Sequence, residues 1–125
     1  MMTSCTNDNE ELILGTWNMD VNKSYDSWTQ DGVTEQENYL EWWGIEKATF
    51  TFKEGGVVTI SAVMDNESGN WDDEYTINGD VLIWDGDEFN ILKLNKKKLI
   101  LEQTEEGTDD GIPYSNTDHM EFDRE

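Results

Sequence analysis

The side chains that most often perform nucleophilic and acid–base chemistry are scarce in this sequence. Cys5 is the only cysteine and His119 the only histidine. Cys5 stands in a polar stretch near the start of the chain, so a Cys/His dyad would have no geometric support. The sequence also has no Gly-x-Ser-x-Gly elbow, His-Glu-x-x-His pair, phosphate loop or dinucleotide glycine motif. We therefore expect a protein that is not an enzyme and needs no cofactor, with His119 at the surface or edge of a strand.

Carboxylates are the one abundant reactive group, with 29 Asp and Glu residues. Among so many, some pair at the spacing needed for glycoside hydrolysis is inevitable, so a hydrolase is the least specific interpretation. Two oxygen-rich segments, Asp65–Asn70 and Asp85–Glu88, could hold Ca²⁺, but neither has the spacing that places ligands around one ion. Hairpin turns need the same residue types. We expect solvated turns and no specific metal site.

The balance of charged and apolar residues limits the class of protein. The chain of 125 residues has only 8 Lys and Arg against these 29 acidic residues, which gives a formal net charge of −21. This charge repels phosphate backbones and disfavours nucleic acid as a partner. The 6 Trp, 4 Tyr and 4 Phe are too many for a disordered acidic tail. The longest apolar run, Val81–Trp84, is far shorter than the roughly 20 residues that span a bilayer. We expect one small folded domain that is monomeric.

The elements that must position these residues are short strands. From Lys47 onward, apolar and polar residues alternate with the period of two that is typical of half-buried strands. The glycines in Glu54–Gly56 predict a first hairpin turn. Asn78-Gly79 predicts another, in which Tyr75 would lie opposite Leu82.

Leucines predict the register of a further hairpin. The lysine-rich turn after Leu94 would place Leu94 opposite Leu99 and Leu92 opposite Leu101, so that four leucines share one core face. With a first strand at Leu12–Met19, the total is about eight or nine antiparallel strands. An open sheet of this size has two edges to protect, which favours closure into a barrel. The predicted fold is all-β, an up-and-down antiparallel meander of about eight strands closed into a small barrel.

The connection formed by residues 20–46 has two possible structures. Thr34–Glu37 matches a capping box, which predicts a short helix ending at Gly44. The same residues also fit a strand with Tyr39, Trp43 and Ile45 on one face. The sequence alone leaves this choice open.

Aromatic residues of this connection are our candidate ligand-binding residues: Trp28, Tyr39, Trp42 and Trp43. They would line or cover a ligand pocket at the barrel mouth, or form a stacking surface for sugar rings. Alternatively, they plug the open end and leave a solid core. The other tryptophans are expected in the barrel core: Trp17, Trp71 and Trp84.

The first residues resemble the end of a bacterial lipoprotein signal peptide, in which an apolar residue and small residues precede a lipid-modified Cys. Met2-Thr3-Ser4-Cys5 carries this resemblance, and a polar stretch follows. The resemblance implies lipid attachment at Cys5, a disordered tether over residues 1–11 and a folded domain over 12–125. Acidic residues soon after Cys5 are similar to the signal that exports lipoproteins to the outer face of the outer membrane. The alternative is an accidental thiol in a disordered N-terminus.

The predicted barrel also resembles the bacterial lipocalin-like domains of small secreted lipoproteins. The resemblance rests on Gly15-Thr16-Trp17 in the first strand, followed in order by Phe50–Gly56, Tyr75–Gly79 and Leu94–Glu102. It implies that Trp17 packs across the closed end of a lipocalin-like, calycin-type barrel and that Gly15 lets the strand bend. It also implies a basic side chain over Trp17, for which Arg124 is the only arginine.

These observations favour a non-catalytic, lipid-anchored protein of the bacterial cell envelope, periplasmic or surface-exposed on the outer membrane. Its partner would be a small apolar or aromatic molecule, bound inside the barrel or at its mouth. The alternative function is a protein- or glycan-interaction module with a solid barrel core. Contact with a membrane is expected only through the lipid on Cys5.

Overall fold

A computed structural model describes residues 8–39 and 44–125, which form a short helix and ten antiparallel strands. The helix is α1 (Asp8–Leu12). The strands are β1 (Gly15–Met19), β2 (Tyr25–Gln30), β3 (Val33–Asn38), β4 (Ile45–Lys53), β5 (Val57–Met64), β6 (Glu67–Asn78), β7 (Val81–Trp84), β8 (Asp87–Leu94), β9 (Lys98–Asp109) and β10 (Ile112–Arg124). No helix in these described ranges is long and apolar enough to span a bilayer.

Eight of the strands form a closed barrel. Strands β4 to β10 follow one another as a meander, and β1 pairs with both β4 and β10. In β1, Trp17 lies opposite Phe50 on one side and Arg124 on the other. The expected all-β, up-and-down antiparallel meander of about eight strands closed into a barrel is therefore confirmed. Closure removes the free edges that an open sheet would expose.

The remaining two strands lengthen the wall at one end. The β10 strand pairs with β9 along nearly all of its length, while its other edge is shared by β1 and β2. Residues 122–124 of β10 pair with β1, and residues 114–119 pair with β2. The β2–β3 hairpin thus extends beyond β1. Residues 34–38, which the sequence left open between helix and strand, are part of β3.

Alternation along the strands fills the interior with apolar side chains. Phe50 and Phe52 of β4 are buried, as are Val58 and Ile60 of β5. At the far end of the chain, Phe122 of β10 is completely buried. Phe50 contacts Phe122 edge to face, with ring centroids 4.9 Å apart. This geometry is favourable for two aromatic quadrupoles.

Two predicted registers differ from the structure. Leu94 lies opposite Leu99 as predicted, but Leu101 lies opposite Ile91. An irregularity between Ile91 and Lys93 displaces Leu92, which is 55% exposed. The prediction of four leucines on one core face was therefore wrong, because the alternation of side chains does not reveal an inserted residue.

The second difference lies in the Asn78-Gly79 hairpin. Asn78 is itself paired with Val81, so the turn is one residue later than predicted. Tyr75 consequently lies opposite Trp84 and not Leu82. Gly79 provides the positive φ of +63° that the turn needs. The shift moves each partner by two residues, which keeps every side chain on its predicted face.

The start of the domain also differs from expectation. Residues 8–11, which we expected in a disordered tether, form most of α1, and β1 begins at Gly15 and not at Leu12. The Asn9 side-chain amide donates to the carbonyl oxygen of Gly79 at 2.9 Å. Ile13, directly after the helix, is completely buried. The helix therefore contacts one end of the barrel.

Candidate functional site

The end of the barrel near α1 is closed by Arg124 and Trp17. The guanidinium carbon of Arg124 lies 4.2 Å from the centroid of the Trp17 ring. Its nitrogens donate to three backbone carbonyls: those of Leu12, Leu14 and Lys96. The Trp17 indole N–H donates to the carbonyl of Ile13 at 2.8 Å. Arg124 thus occupies the place over Trp17 that the lipocalin resemblance implied for a basic side chain.

The opposite end of the barrel contains a cavity of about 270 Å³. Gly15 and Phe52 are paired at the closed end, whereas Phe50, Ala48 and Ile45 follow one another along β4 toward the cavity. The lining comes from seven strands and the residue after β3: Met19, Asp26, Tyr39, Ile45, Ala48, Phe50, Ile60, Ala62, Met64, Trp71, Trp84, Asp118 and Met120. Most of these side chains are apolar, which suits the body of an organic ligand.

Trp71 and Trp84 line this cavity, whereas the sequence predicts both of them in the core. Trp84 contacts Phe50 edge to face, with ring centroids 5.0 Å apart. Trp71 is 47% exposed, so its expected place in the core was wrong. Both indole N–H groups donate to the same oxygen of Asp73, at 3.2 Å from Trp71 and 3.0 Å from Trp84. The shared carboxylate fixes the edges of both rings at the cavity wall.

The polar part of the lining consists of two aspartates and a tyrosine. Asp26 of β2 and Asp118 of β10 lie directly opposite each other, and their side chains are hydrogen-bonded. Burial, followed by this hydrogen bond and the charge of Asp26, raises the pKa of Asp118 to about 7. Tyr39 is hydrogen-bonded to Asp26, and burial is the main cause that raises its pKa. The pair therefore keeps a proton at moderately acidic pH.

Sequence reasoning did not find this pair, because nothing in the chain indicated that Asp26 and Asp118 would meet. The alternation of Met120 and Phe122 does place Asp118 on the inner face of β10, since all three differ by two residues. Asp26 lies in the connection of residues 20–46, whose secondary structure the sequence left undecided. Its partner became evident only through the β2–β10 pairing.

The predicted ligand-binding residues fall in different places. Tyr39 lines the cavity. Trp28 does not, and its indole N–H donates to Glu35 at 3.1 Å. It lines an adjoining groove together with Asp26, Asn116 and Asp118. Trp42 and Trp43 lie outside the described residues, as does Cys5.

His119 lies on the outer face of β10, since its neighbour Asp118 faces the cavity. Its ring stacks on Tyr25, with centroids 4.7 Å apart. Nδ1 is 2.9 Å from Glu102 and Nε2 is 2.9 Å from Glu121. The ring is therefore held on both sides by carboxylates and does not reach the cavity.

Each oxygen-rich segment contains a hairpin turn, at residues 65–66 and 85–86, and its remaining residues belong to β6 or β8. Asp65 and Asn66 have φ values of +50° and +68°, and Asp85 and Gly86 have values of +52° and +84°. These values match the left-handed turn positions that Asp, Asn and Gly tolerate. Among the residues that the structure describes, no group of three or more His, Cys, Asp or Glu side chains is arranged to hold a metal ion.

A closed eight-stranded barrel with a cavity at one end has a lipocalin-like fold, and comparison with solved structures supports this assignment. One match is the siderocalin Ex-FABP, which is described as functioning through dual ligand specificities. The alignment has a TM-score of 0.50 at 13% sequence identity and covers 91% of this chain and 71% of that chain. No protein-family model and no curated protein matches the sequence. At this identity the likeness concerns the fold.

Proposed function

We propose that this protein is a non-catalytic binding protein that holds a small apolar or aromatic molecule in the cavity at the open end of its barrel. The observation that carries the proposal is the cavity itself, about 270 Å³ and lined mostly by apolar and aromatic side chains. A cavity of about 150 Å³ is known to accommodate benzene. The present cavity thus has room for one ring with a short chain, or for two fused rings.

The cavity argues against the alternative function, which is an interaction module with a solid core. Trp71 and Trp84 stand at the wall of an open space among the described residues and do not fill it. A protein that used the barrel only as a scaffold would gain stability by filling this space, because each missing methylene contributes about 1 kcal/mol. The retained space favours a ligand over a solid core.

A hydrolytic function receives less support from the acidic pair. Glycosidases hold their two carboxyl groups at least about 5 Å apart, so that a nucleophile or a water can reach the sugar. Asp26 and Asp118 are hydrogen-bonded to each other, which is closer than either arrangement. The pair is better suited to interact with a ligand as one polar group.

The proposed location is the bacterial cell envelope, with lipid attached to Cys5 and the protein periplasmic or exposed on the outer membrane. The support is the Met2-Thr3-Ser4-Cys5 sequence and the polar residues that follow it. Labelling with an alkynyl fatty acid in a bacterial host, with a lipoprotein signal peptide ahead of Cys5, tests the attachment. The label should be incorporated and should be lost in Cys5→Ser; equal labelling of both proteins would refute lipid attachment at Cys5.

Native mass spectrometry of the full chain against a panel of ligands tests the binding function. The panel comprises fatty acids, bile acids, haem and small aromatic compounds. The proposal expects one-to-one complexes with compounds of about one or two rings and none with haem, which is too large for the cavity. Failure of every small aromatic compound to bind at millimolar concentration would overturn it.

A further inference from the structure

The charge of the cavity identifies the class of ligand more narrowly than its apolar wall does. Of the ionisable residues that line it, Asp26 and Asp118 are acids and Tyr39 is a phenol. No Lys, Arg or His is among the lining residues that the structure describes. The cavity therefore offers a ligand negative charge and hydrogen-bond acceptors on one side and aromatic surface on the other.

Groups around the pair reinforce this charge. Asp87 of β8 and Glu105 of β9 both act on Asp118 in the same sense as Asp26 does. Asp26 also faces the Tyr39 hydroxyl. No cation stands among these groups, and Arg124 is at the closed end of the barrel. Each charged side chain that the structure shows acting on Asp118 is therefore a carboxylate, and the electrostatic potential at the pair is negative.

From this arrangement we infer that the ligand is a protonated amine with a compact aromatic or aliphatic body, its ammonium group bonded to the Asp26–Asp118 pair. The inference rests on the proposed binding function and names the ligand class of the same cavity. The body would lie against Phe50, Trp71 and Trp84, whose rings also attract a nearby cation through their π faces. An ammonium group supplies up to three donors, which the two carboxyl groups can accept beside their hydrogen bonds to each other and to Tyr39.

An anionic ligand does not suit the same position. A carboxylate placed beside the pair would meet like charge in a partly desolvated site, where charges interact more strongly than in water. An uncharged ligand would fill the apolar part but bring no positive charge to the pair. The expected order of affinity is therefore amine, then hydrocarbon, then acid.

Three compounds with the same ring and a short alkyl chain test this order: 4-phenylbutylamine, butylbenzene and 4-phenylbutanoate. Their binding to the full chain is measured at pH 8 by quenching of tryptophan fluorescence excited at about 295 nm, where a phenyl ring does not absorb. The amine should bind with a dissociation constant on the order of 0.1 mM and at least about tenfold more tightly than butylbenzene. The acid should bind more weakly than both.

Variants separate the acidic pair from the general charge of the protein. Asp118→Asn keeps the size of the side chain and removes its charge, so amine affinity should fall about tenfold while butylbenzene affinity changes less than about twofold. Glu106→Gln is the matched control, because Glu106 is an exposed residue of β9 outside the cavity lining. It should change neither affinity.

The pH profile supplies a second readout. Since the pair holds a proton below about pH 7, an ammonium ion must displace that proton there, and amine affinity should fall as the pH is lowered from 8 to 5. Butylbenzene affinity should stay constant, and the slope for the amine should disappear in Asp118→Asn.

The outcomes distinguish the two proposals. If butylbenzene binds as tightly as the amine, or if Asp118→Asn and Glu106→Gln weaken the amine equally, the inference about the amine is wrong and the binding function stands. If the acid binds best, the inference is also wrong. If none of the three compounds binds, both the amine ligand and the proposed binding function fail.

Discussion

The guanidinium of Arg124 covers the indole of Trp17 at a distance of 4.2 Å, and this contact joins the last strand of the barrel to the first. The same side chain donates to the carbonyls of Leu12 and Leu14, directly before β1, and to that of Lys96, between β8 and β9. The contact closes the barrel end away from the cavity. Among the described residues, the cavity lies at the other end of the barrel.

Replacement of Arg124 should therefore destabilise the fold. Arg124→Ala removes the cation–π contact and three hydrogen bonds, with an expected loss of about 3 kcal/mol in the free energy of unfolding. Arg124→Lys keeps the charge but lacks the planar fork, so it should recover less than half of the loss. Urea unfolding at neutral pH measures both values. Lys96→Ala, which removes a neighbouring exposed positive charge, should stay within about 0.5 kcal/mol of the parent protein; a similar value for Arg124→Ala would contradict the proposed role.

Gly15 is required by the same contact. Its φ is +119°, and a Cβ at this position would lie 2.7 Å from Nη1 of Arg124. Gly15→Ala combines backbone strain with displacement of the guanidinium, so we expect a loss of about 2–3 kcal/mol in the free energy of unfolding. Gly86 also has a positive φ, +84°, but no atom lies within 4 Å of its would-be Cβ. Gly86→Ala should lose only about 1 kcal/mol, and equal losses in urea unfolding would show that Arg124 does not set the requirement.

Stability should depend on pH through Asp118. Because its pKa is about 7 in the folded protein and lower when unfolded, the folded state binds the extra proton between about pH 4 and pH 7. Stability is therefore lost as the pH rises through this range and stays low above it. Asp118→Asn removes the penalty, and since the residue is partly exposed we expect a gain of only about 1 kcal/mol, or about 5 °C in melting temperature, at pH 8.

Thermal unfolding at pH 5 and pH 8 tests this expectation. The gain of Asp118→Asn should be smaller at pH 5, where the parent protein keeps its proton. Glu106→Gln removes an exposed acid and should give the same small change at both pH values. A gain for Asp118→Asn that does not vary with pH would exclude the shared proton.

Trp71 should contribute more to ligand binding than Trp28, because only Trp71 lines the cavity. Trp71→Ala removes part of the aromatic wall, and butylbenzene affinity should fall about threefold to tenfold. Trp28→Ala leaves the wall intact and should have an effect below about twofold. Calorimetric titration of both variants measures the difference, and a larger loss in Trp28→Ala would move the site to the groove near Asn116.

Much of the fold follows from local patterns in the sequence. Alternation along β4 and β5 correctly places Phe50, Phe52 and Ile60 in the interior, because side-chain direction in a strand is fixed by the period of two. The displacement of Leu92 could not be predicted in this way. A bulge depends on the twist and pairing of two strands and leaves little local signal.

The candidate site was less predictable, because it is assembled from strands that are distant in sequence. Tyr39 was identified from its aromatic character, but Trp71 was assigned to the core since alternation shows which face a residue occupies and not how full that face is. The pairing of Asp26 with Asp118 spans most of the chain. The strand β2, which contains Asp26, was not predicted either, because the sequence of residues 20–46 fitted more than one structure.

The measurement that tests the central claim most directly is calorimetric titration of 4-phenylbutylamine and butylbenzene into the full chain and its Ala62→Phe variant. Ala62 lines the cavity and is nearly buried, so a phenyl ring at this position occupies the space of a ligand. Ser61→Phe, on the neighbouring residue whose side chain points away from the interior, is the control. We predict saturable one-to-one binding to the parent protein and to Ser61→Phe, and none to a folded Ala62→Phe. Undiminished binding to Ala62→Phe, or no binding to the parent protein, would contradict a ligand-binding cavity at the open end of the barrel.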